Sequence, residues 1–309
     1  MVHWTEADIP AQTGRTAVVT GATGGLGYAT ALALARAGAA VVVAGRDARK
    51  GADAVARINA AFTAPLARFE LLDLASLASV AAFAERVAAA HPTLDLLVNN
   101  AGIMGMPRRE VTGDGFERQL GTNYLGHVAL TARLLPSLRA GRAPRVVSVS
   151  SLAHRSVRIA LDDLQAERSY TPFRAYGQSK LAMLLFAEEL QRRSDAAGWG
   201  ITSVAAHPGL ARTDIGRTFV QGRAAALKAG ALGLVMGVAG QPADRGALPI
   251  LYAATAPDAR PGGYYGPDGV GEMKGGPKVA RVAPQGRDAA MAARLWDASE
   301  RLTGVRFGA

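Results

Sequence analysis

At 309 residues, with 49% hydrophobic and 19% charged residues, the chain is long enough to bury a sizeable core and has a globular rather than a disordered composition. It holds no cysteine, which excludes disulfides and thiolate metal sites, and its five histidines are scattered without a helical H-x-x-x-H pair, so no metal is expected. The formal charge of +10 comes from arginines spread along the chain with few aromatic residues among them, which fits an anionic small ligand or plain solubility and not a nucleic-acid partner.

The opening residues, MVHWTEADIPAQTGR, lack a basic segment followed by an apolar one, and no stretch of about 20 uninterrupted apolar residues occurs. The expectation is a cytoplasmic protein without stable membrane insertion.

TAVVT (16–20) reads as a strand, LGYATALALARAG (26–38) as a helix closed by Gly38, and AVVVAG (40–45) as the next strand, with a helix near 47–61. ARFELLDL (67–74) follows, then a helix from Ser76 to about Ala90, and LDLLVNNAG (94–102) is a strand running into a turn. A long helix is expected over 113–139, a strand at RVVSVSS (145–151), a helix over 174–197, a strand at ITSVAAHPG (201–209) and a terminal helix over 287–302. Strands spaced by helices in this way predict an α/β fold, a doubly wound parallel sheet of about seven strands with helices on both faces.

No repeat or linker is visible, so residues 1–309 read as one nucleotide-binding domain. Three segments interrupt the alternation: the loop between Ser151 and Arg174, the apolar stretch from Thr218 to Gly240, and a glycine- and proline-rich run (256–277) that opens a C-terminal extension over about 256–309.

TGATGGLG (20–27) lies between the first strand and the first helix. Glycines at 21, 25 and 27 permit a tight turn and close approach to a pyrophosphate, whose charge would sit at the helix N-terminus, and Gly24 adds freedom. Gly21, Thr23, Gly24, Gly25, Leu26 and Gly27 are the candidate contacts; the loop lacks the G-K-[ST] ending of a P-loop. The second strand ends in VVVAGRD, with Gly45 and Arg46 where an acid would hold both ribose hydroxyls of NAD. A guanidinium there can hold a 2′-phosphate through paired hydrogen bonds, which predicts NADP(H); the other reading of Arg46 is a solvated loop residue. Asp47 reads as the cap of the following helix. Asp73 and Leu74, at the end of the third strand, are candidates for the adenine, Asp73 reading equally as a turn carboxylate. Asn99–Gly102, ending the fourth strand, place Asn100, Ala101 and Gly102 beside the crevice.

In RAYGQSKLAM (174–183) a tyrosine precedes a lysine by four residues, one helical turn, in a chain with few lysines. TGATGGLG, NNAG, VSS and this Y-G-Q-S-K, in that order, resemble the short-chain dehydrogenase/reductase family over essentially the whole chain. TNYLGHVALT (122–131), SSLAHR around 151–155 and AAHPGLART (205–213) are most similar to its retinol-dehydrogenase-like branch. GGYYGPDGVGEM with RLWDASERLTGV resembles bacterial oxidoreductases often labelled protochlorophyllide-reductase-like, a label that says nothing of light-driven chemistry.

The resemblance implies a Rossmann-type fold and hydride transfer between NADP(H) and a carbonyl or alcohol. Tyr176 would be the general acid/base. An ammonium ~4 Å away at an effective dielectric of ~20 is worth about 4 kcal/mol, roughly three pKa units, so Lys180 is expected to bring Tyr176 toward neutrality. By the resemblance Lys180 also holds the nicotinamide ribose, and both residues touch the cofactor. Ser151 matches the serine that hydrogen-bonds the substrate carbonyl, with Ser150 its nearest rival. Asn123 matches the asparagine of the family's proton relay, or else bonds its own backbone. Pro208, Gly209 and Thr213 match the loop over the nicotinamide. His127, His154 and His207 read as structural.

Ser151 and Tyr176 are separated by about twice the gap usual in the family, a spacing the retinol-dehydrogenase-like branch shares, and the insert reads as a surface loop with a short element beside the site mouth. Residues about 214–240 fall where the family places its substrate lid. Their apolar part (219–240) reads as a pocket wall for a hydrophobic carbonyl or alcohol substrate, or as core packing or a dimer contact. The resemblance implies a homo-oligomer through the long helices, unless the C-terminal segments block that interface. Two other functions stay open: an NADP(H)-binding sensor without turnover, and reduction of a carbon-carbon double bond.

Overall fold

The computed structural model describes residues 4–211 and 240–308. Eight strands form one sheet: β1 (Thr16–Thr20), β2 (Ala40–Gly45), β3 (Ala67–Leu71), β4 (Leu96–Asn99), β5 (Arg145–Val149), β6 (Thr202–Ala206), β7 (Tyr264–Pro267) and β8 (Pro277–Val279). Their order is β3-β2-β1-β4-β5-β6-β7-β8, parallel from β3 to β7, with β8 antiparallel to β7. The central strands are Val-, Leu- and Ala-rich because both their faces are covered, as parallel sheets require.

The helices are α1 (Gly25–Arg36), α2 (Ala48–Asn59), α3 (Leu77–Ala90), a short α4 (Arg118–Leu120), α5 (Gly126–Arg139), α6 (Pro172–Ala197), α7 (Ala243–Thr255) and α8 (Ala289–Thr303). One core, around Leu34, Ile58, Leu96 and Tyr265, lies under α1, α2 and α7; another, around Phe83, Tyr124, Leu130 and Phe186, lies under α3, α5, α6 and α8.

The strand order reverses between β1 and β4, opening a crevice at the carboxyl ends of the strands. The glycine loop after β1 and the NNAG turn after β4 sit there.

Three features depart from expectation. The long helix starts at Arg118, where the Glu117 carboxylate accepts from the N–H groups of Gln119 and Leu120, and it passes through a π-helical turn, Gly121–Leu125, before α5. The run 256–277 contributes β7, and with β8 it raises the strand number to eight. Helix α7, with Pro249 inside it, was not expected at all; it packs on α1, where a Cβ on Gly246 would stand 2.8 Å from Leu26. Thr213 and residues 214–239 of the expected lid lie outside the described residues.

Candidate active site

Gly21 has φ +67°, and a Cβ on it would stand 2.9 Å from the Ala101 Cα. A Cβ on Gly27 would stand 2.4 Å from the Gly21 oxygen and 2.6 Å from Asn100 Nδ2. These two glycines let the loop lie directly on the NNAG turn. Gly25 also holds a positive φ, 54°. Gly24 is the N-cap of α1, without a side-chain cap, and open space surrounds the position of its absent Cβ. The N-terminus of α1 has no side-chain cap and no acidic residue in its first turn, and the space beside Gly24 is open, which fits a bound phosphate. Leu26 is half-buried against α7, and Thr23 packs where a Cβ on Gly45 would be 2.7 Å away.

Thr20 joins the two loops. Its hydroxyl accepts from the backbone N–H of Asn100 and of Ala101, both at 2.9 Å, while Asn100 Nδ2 donates to the Thr20 carbonyl at 2.8 Å. The hydroxyl proton goes to His127 Nε2 at 2.9 Å, and His127 Nδ1 donates to the Asn123 carbonyl at 2.9 Å. Burial lowers the His127 pKa to about 3, so the ring is neutral and serves as a strut.

At the end of β2, Arg46 is exposed and has no ion-pair partner among the described residues. Asp47 accepts from the Lys50 N–H at 3.0 Å and caps α2. Asp73 accepts from the Ala75 N–H at 3.0 Å, a turn carboxylate, and Leu74 is buried against α5, where a Cβ on Gly126 would meet its carbonyl oxygen at 2.3 Å.

Asn123 occupies the π-helical turn, a device that re-aims a side chain. Its Oδ1 accepts from Ile103 N at 2.7 Å, and its Nδ2 donates to Ile103 O at 2.9 Å and to Ser179 Oγ at 2.9 Å. It thus bonds a neighbouring loop and not its own turn. Gly102 lies between Asn123 and Lys180: a Cβ there would be 3.3 Å from Lys180 Nζ and 3.4 Å from Asn123 Oδ1.

Tyr176 and Lys180 are both buried on one face of α6, with the ammonium 6.0 Å from the centre of the phenol ring. The expected electrostatic tuning is corrected here. Lys180 Nζ donates to the Val149 carbonyl at 3.0 Å, and burial raises the Tyr176 pKa, with the Ser151 hydrogen bond offsetting only part of that. Burial lowers Lys180 to about 8. Of the two serines, Ser151 is the one that acts on the Tyr176 phenol, partly lowering its pKa, whereas the Ser150 hydroxyl donates to the Lys180 carbonyl at 2.8 Å.

Pro208 and Gly209 lie beyond β6. Gly209 has φ +66°, and a Cβ on it would stand 2.3 Å from the Met273 oxygen. Gln241 Nε2 donates to the Pro208 carbonyl at 2.8 Å. His207 accepts from the Gly209 N–H through Nδ1 at 3.2 Å and faces Glu272 through Nε2 at 3.1 Å. Burial would raise the Glu272 pKa, but bonds from His207, the Arg281 N–H and Arg155 hold it down at about 2. His154 Nδ1 donates to the Ser151 carbonyl at 2.7 Å, and burial lowers its pKa to about 4. All three histidines are thus engaged in fixing backbone.

The structure brings together Ser151, Tyr176, Lys180, Asn123 and the NNAG turn, beside the glycine loop. Thr20, Ser179 and Glu272 belong to the same assembly and escape the sequence reading. Only Thr20 carried a signal, its position immediately before Gly21. The insert carries short 3-10 turns, Leu152–Ser156 and Leu161–Asp163, and is tied down: Gln178 accepts from Ala160 N at 2.9 Å and donates to Leu164 O at 3.0 Å, with Ile159 and Leu164 buried.

The short chain dehydrogenase family pattern matches residues 15–224. Polyprenol dehydrogenase of Mus musculus is 44% identical over 307 residues, covering 97% of this chain and 87% of the mouse protein. Retinol dehydrogenase 13 of Homo sapiens is 39% identical over 302 residues, covering 97% of this chain and 87% of the human one. A crystal structure of an uncharacterized protein from Mycobacterium Paratuberculosis superposes with TM-score 0.82 at 42% identity over 100% of both chains. The NADP active-site complex of Pseudomonas aeruginosa RhlG superposes with TM-score 0.64 at 26% identity, over 82% of this chain and 94% of that one. With its motifs, its sheet order and these matches in agreement, the chain belongs to the short-chain dehydrogenase/reductase family, in its retinol-dehydrogenase-like branch.

Proposed function

We propose that this oxidoreductase is an NADP(H)-dependent enzyme that interconverts a hydrophobic carbonyl compound and its alcohol. One observation carries the reading: Tyr176 and Lys180 are both buried on one face of α6, one turn apart, with Gly102 of the NNAG turn packed against the Lys180 ammonium and Asn123. The glycine loop would hold the pyrophosphate, Arg46 the 2′-phosphate, Asp73 and Leu74 the adenine side, and Lys180, Asn100–Gly102 and Pro208–Gly209 the nicotinamide half. When bound, NADP(H) supplies or accepts the hydride.

The Tyr176 phenol donates its proton to the carbonyl oxygen during reduction and is left as the phenolate, and in the reverse direction it is this phenolate that takes the proton from the alcohol. Ser151 donates a hydrogen bond to the same oxygen, where charge grows in the transition state. Lys180 holds positive charge behind the phenol, and Asn123 fixes the Ile103 backbone that borders the site. The polyprenol and retinol in the relatives' names support a hydrophobic substrate.

The test is consumption of NADPH and NADH with a panel of hydrophobic aldehydes, ketones and enones. Tyr176→Phe is expected to lower kcat by about 10²–10⁴-fold. Arg46→Ala should raise KM for NADPH and leave that for NADH unchanged. Full activity of Tyr176→Phe, or better use of NADH by the wild type, overturns the corresponding part. An alcohol product supports carbonyl reduction; a saturated carbonyl from an enone moves the reading to double-bond reduction.

A further inference from the structure

Three segments distant in sequence meet at one buried carboxylate. Glu272 Oε2 accepts from the Arg155 guanidinium and lies 3.1 Å from His207 Nε2, and its Oε1 accepts from the Arg281 N–H at 2.9 Å. Because His207 Nδ1 accepts from the Gly209 N–H, the imidazole hydrogen sits on Nε2 and is donated to Glu272. Arg155 lies in the 3-10 turn Leu152–Ser156, which Ser151 opens; Gln285 also holds that turn, donating to the His154 and Arg155 carbonyls at 3.0 and 2.9 Å.

Glu272 makes these bonds from left-handed backbone, at φ 59°. Its loop neighbours Gly271 and Gly275 also have positive φ, and there they are glycines, the residue that conformation favours. A glutamate in this region carries backbone strain, which the contacts of its buried side chain offset.

We propose that Glu272 is a positioning residue of the active site. Its carboxylate ties the serine-bearing turn, through Arg155, to the 207–211 loop, through His207. The first tie sets Ser151 against Tyr176, and the second seats Pro208 and Gly209 at the cofactor crevice. This rests on the reductase reading above, and it gives a function to the G-E-M segment of the C-terminal run.

The test compares wild type, Glu272→Gln and Glu272→Gly for NADPH binding by fluorescence, for kcat and KM with a hydrophobic aldehyde, and for thermal unfolding. Glu272→Gln keeps the shape and removes the charge; Glu272→Gly relieves the backbone and removes the side chain. The expectation is at least about tenfold weaker NADPH binding and about tenfold lower kcat in both, with Glu272→Gln melting close to the wild type. Wild-type NADPH binding in both variants overturns the proposal. So does an activity loss matched in each variant by unfolding at the assay temperature, which reduces Glu272 to a structural tie. The binding comparison needs no turnover, so a wild type inactive on the whole panel counts against the reductase reading while Glu272 is still decided.

Discussion

At the scale of single residues, adjacent serines separate by the bond each hydroxyl makes. Ser150, the residue after β5, gives its proton to the Lys180 carbonyl, whereas Ser151 acts on the phenol, partly lowering its pKa. Ser151→Ala is expected to lower kcat by about 10²–10³-fold without a comparable loss of stability. Ser150→Ala should cost about 1 kcal/mol of stability and leave kcat within about threefold. Steady-state rates and urea unfolding of the two variants check this, and the reverse pattern would transfer the role to Ser150. Tyr176 makes a different point. The i,i+4 spacing does place an ammonium near the ring, but where that ammonium points depends on the Val149 carbonyl, which comes from another strand.

At the scale of elements, the glycine loop contains positions with different jobs. Gly27 lies inside the β1–α1 turn, and an alanine there would press on the Gly21 carbonyl and the Asn100 amide. Gly27→Ala is expected to cost about 1–3 kcal/mol or more, because backbone on both sides has nowhere to move. Gly24 has extended φ and open space, so Gly24→Ala should cost only about 0.5–1 kcal/mol, the difference between glycine and alanine at an N-cap. Its effect falls instead on NADPH affinity, because the new methyl group enters the phosphate cradle. Equilibrium unfolding and cofactor titration of both variants separate the two roles; equal stabilities would contradict the packing argument. Elsewhere, α8 lies over the α5–α6 side: Trp296 stacks on Phe186 at 5.5 Å, and Ser299 hydrogen-bonds the Tyr124 hydroxyl at 2.8 Å.

For the whole molecule, the three buried histidines couple stability to pH. His127, at about 3, and His154, at about 4, lie below the ordinary value of 6.5, and burial lowers His207 too. The unfolded chain therefore binds more protons than the native one below pH 6.5, and stability falls as pH drops through that value. Between pH 7 and 5 the loss is expected to be roughly 2 kcal/mol for His127 and about 1–2 kcal/mol for His154. Burial raises the Glu117 and Glu188 carboxyls, which act in the opposite sense and offset a part. Urea titrations at the two pH values measure the balance, and a stability unchanged from pH 7 to 5 contradicts it. Among the described residues no helix is long and apolar enough to cross a membrane.

Much of the architecture was written in local pattern. The β-branched runs of β1 and β2, the capping by Asp47 and Ser76, and the glycines of the first turn are short-range preferences that require no knowledge of what lies opposite. The order of motifs, TGATGGLG to YGQSK, likewise identified the family and the residues that gather at the crevice. Helix α7, with a proline inside it, and β7, within a glycine-rich run, have weak local preferences. They form because α1 and β6 offer them a surface and a ladder. The pairing of Thr20 with the NNAG turn, the direction of Lys180 and the meeting of Arg155, His207 and Glu272 are decided by tertiary contact alone. Each joins groups dozens of residues apart, and a buried polar atom takes whichever partner the fold brings within hydrogen-bond reach.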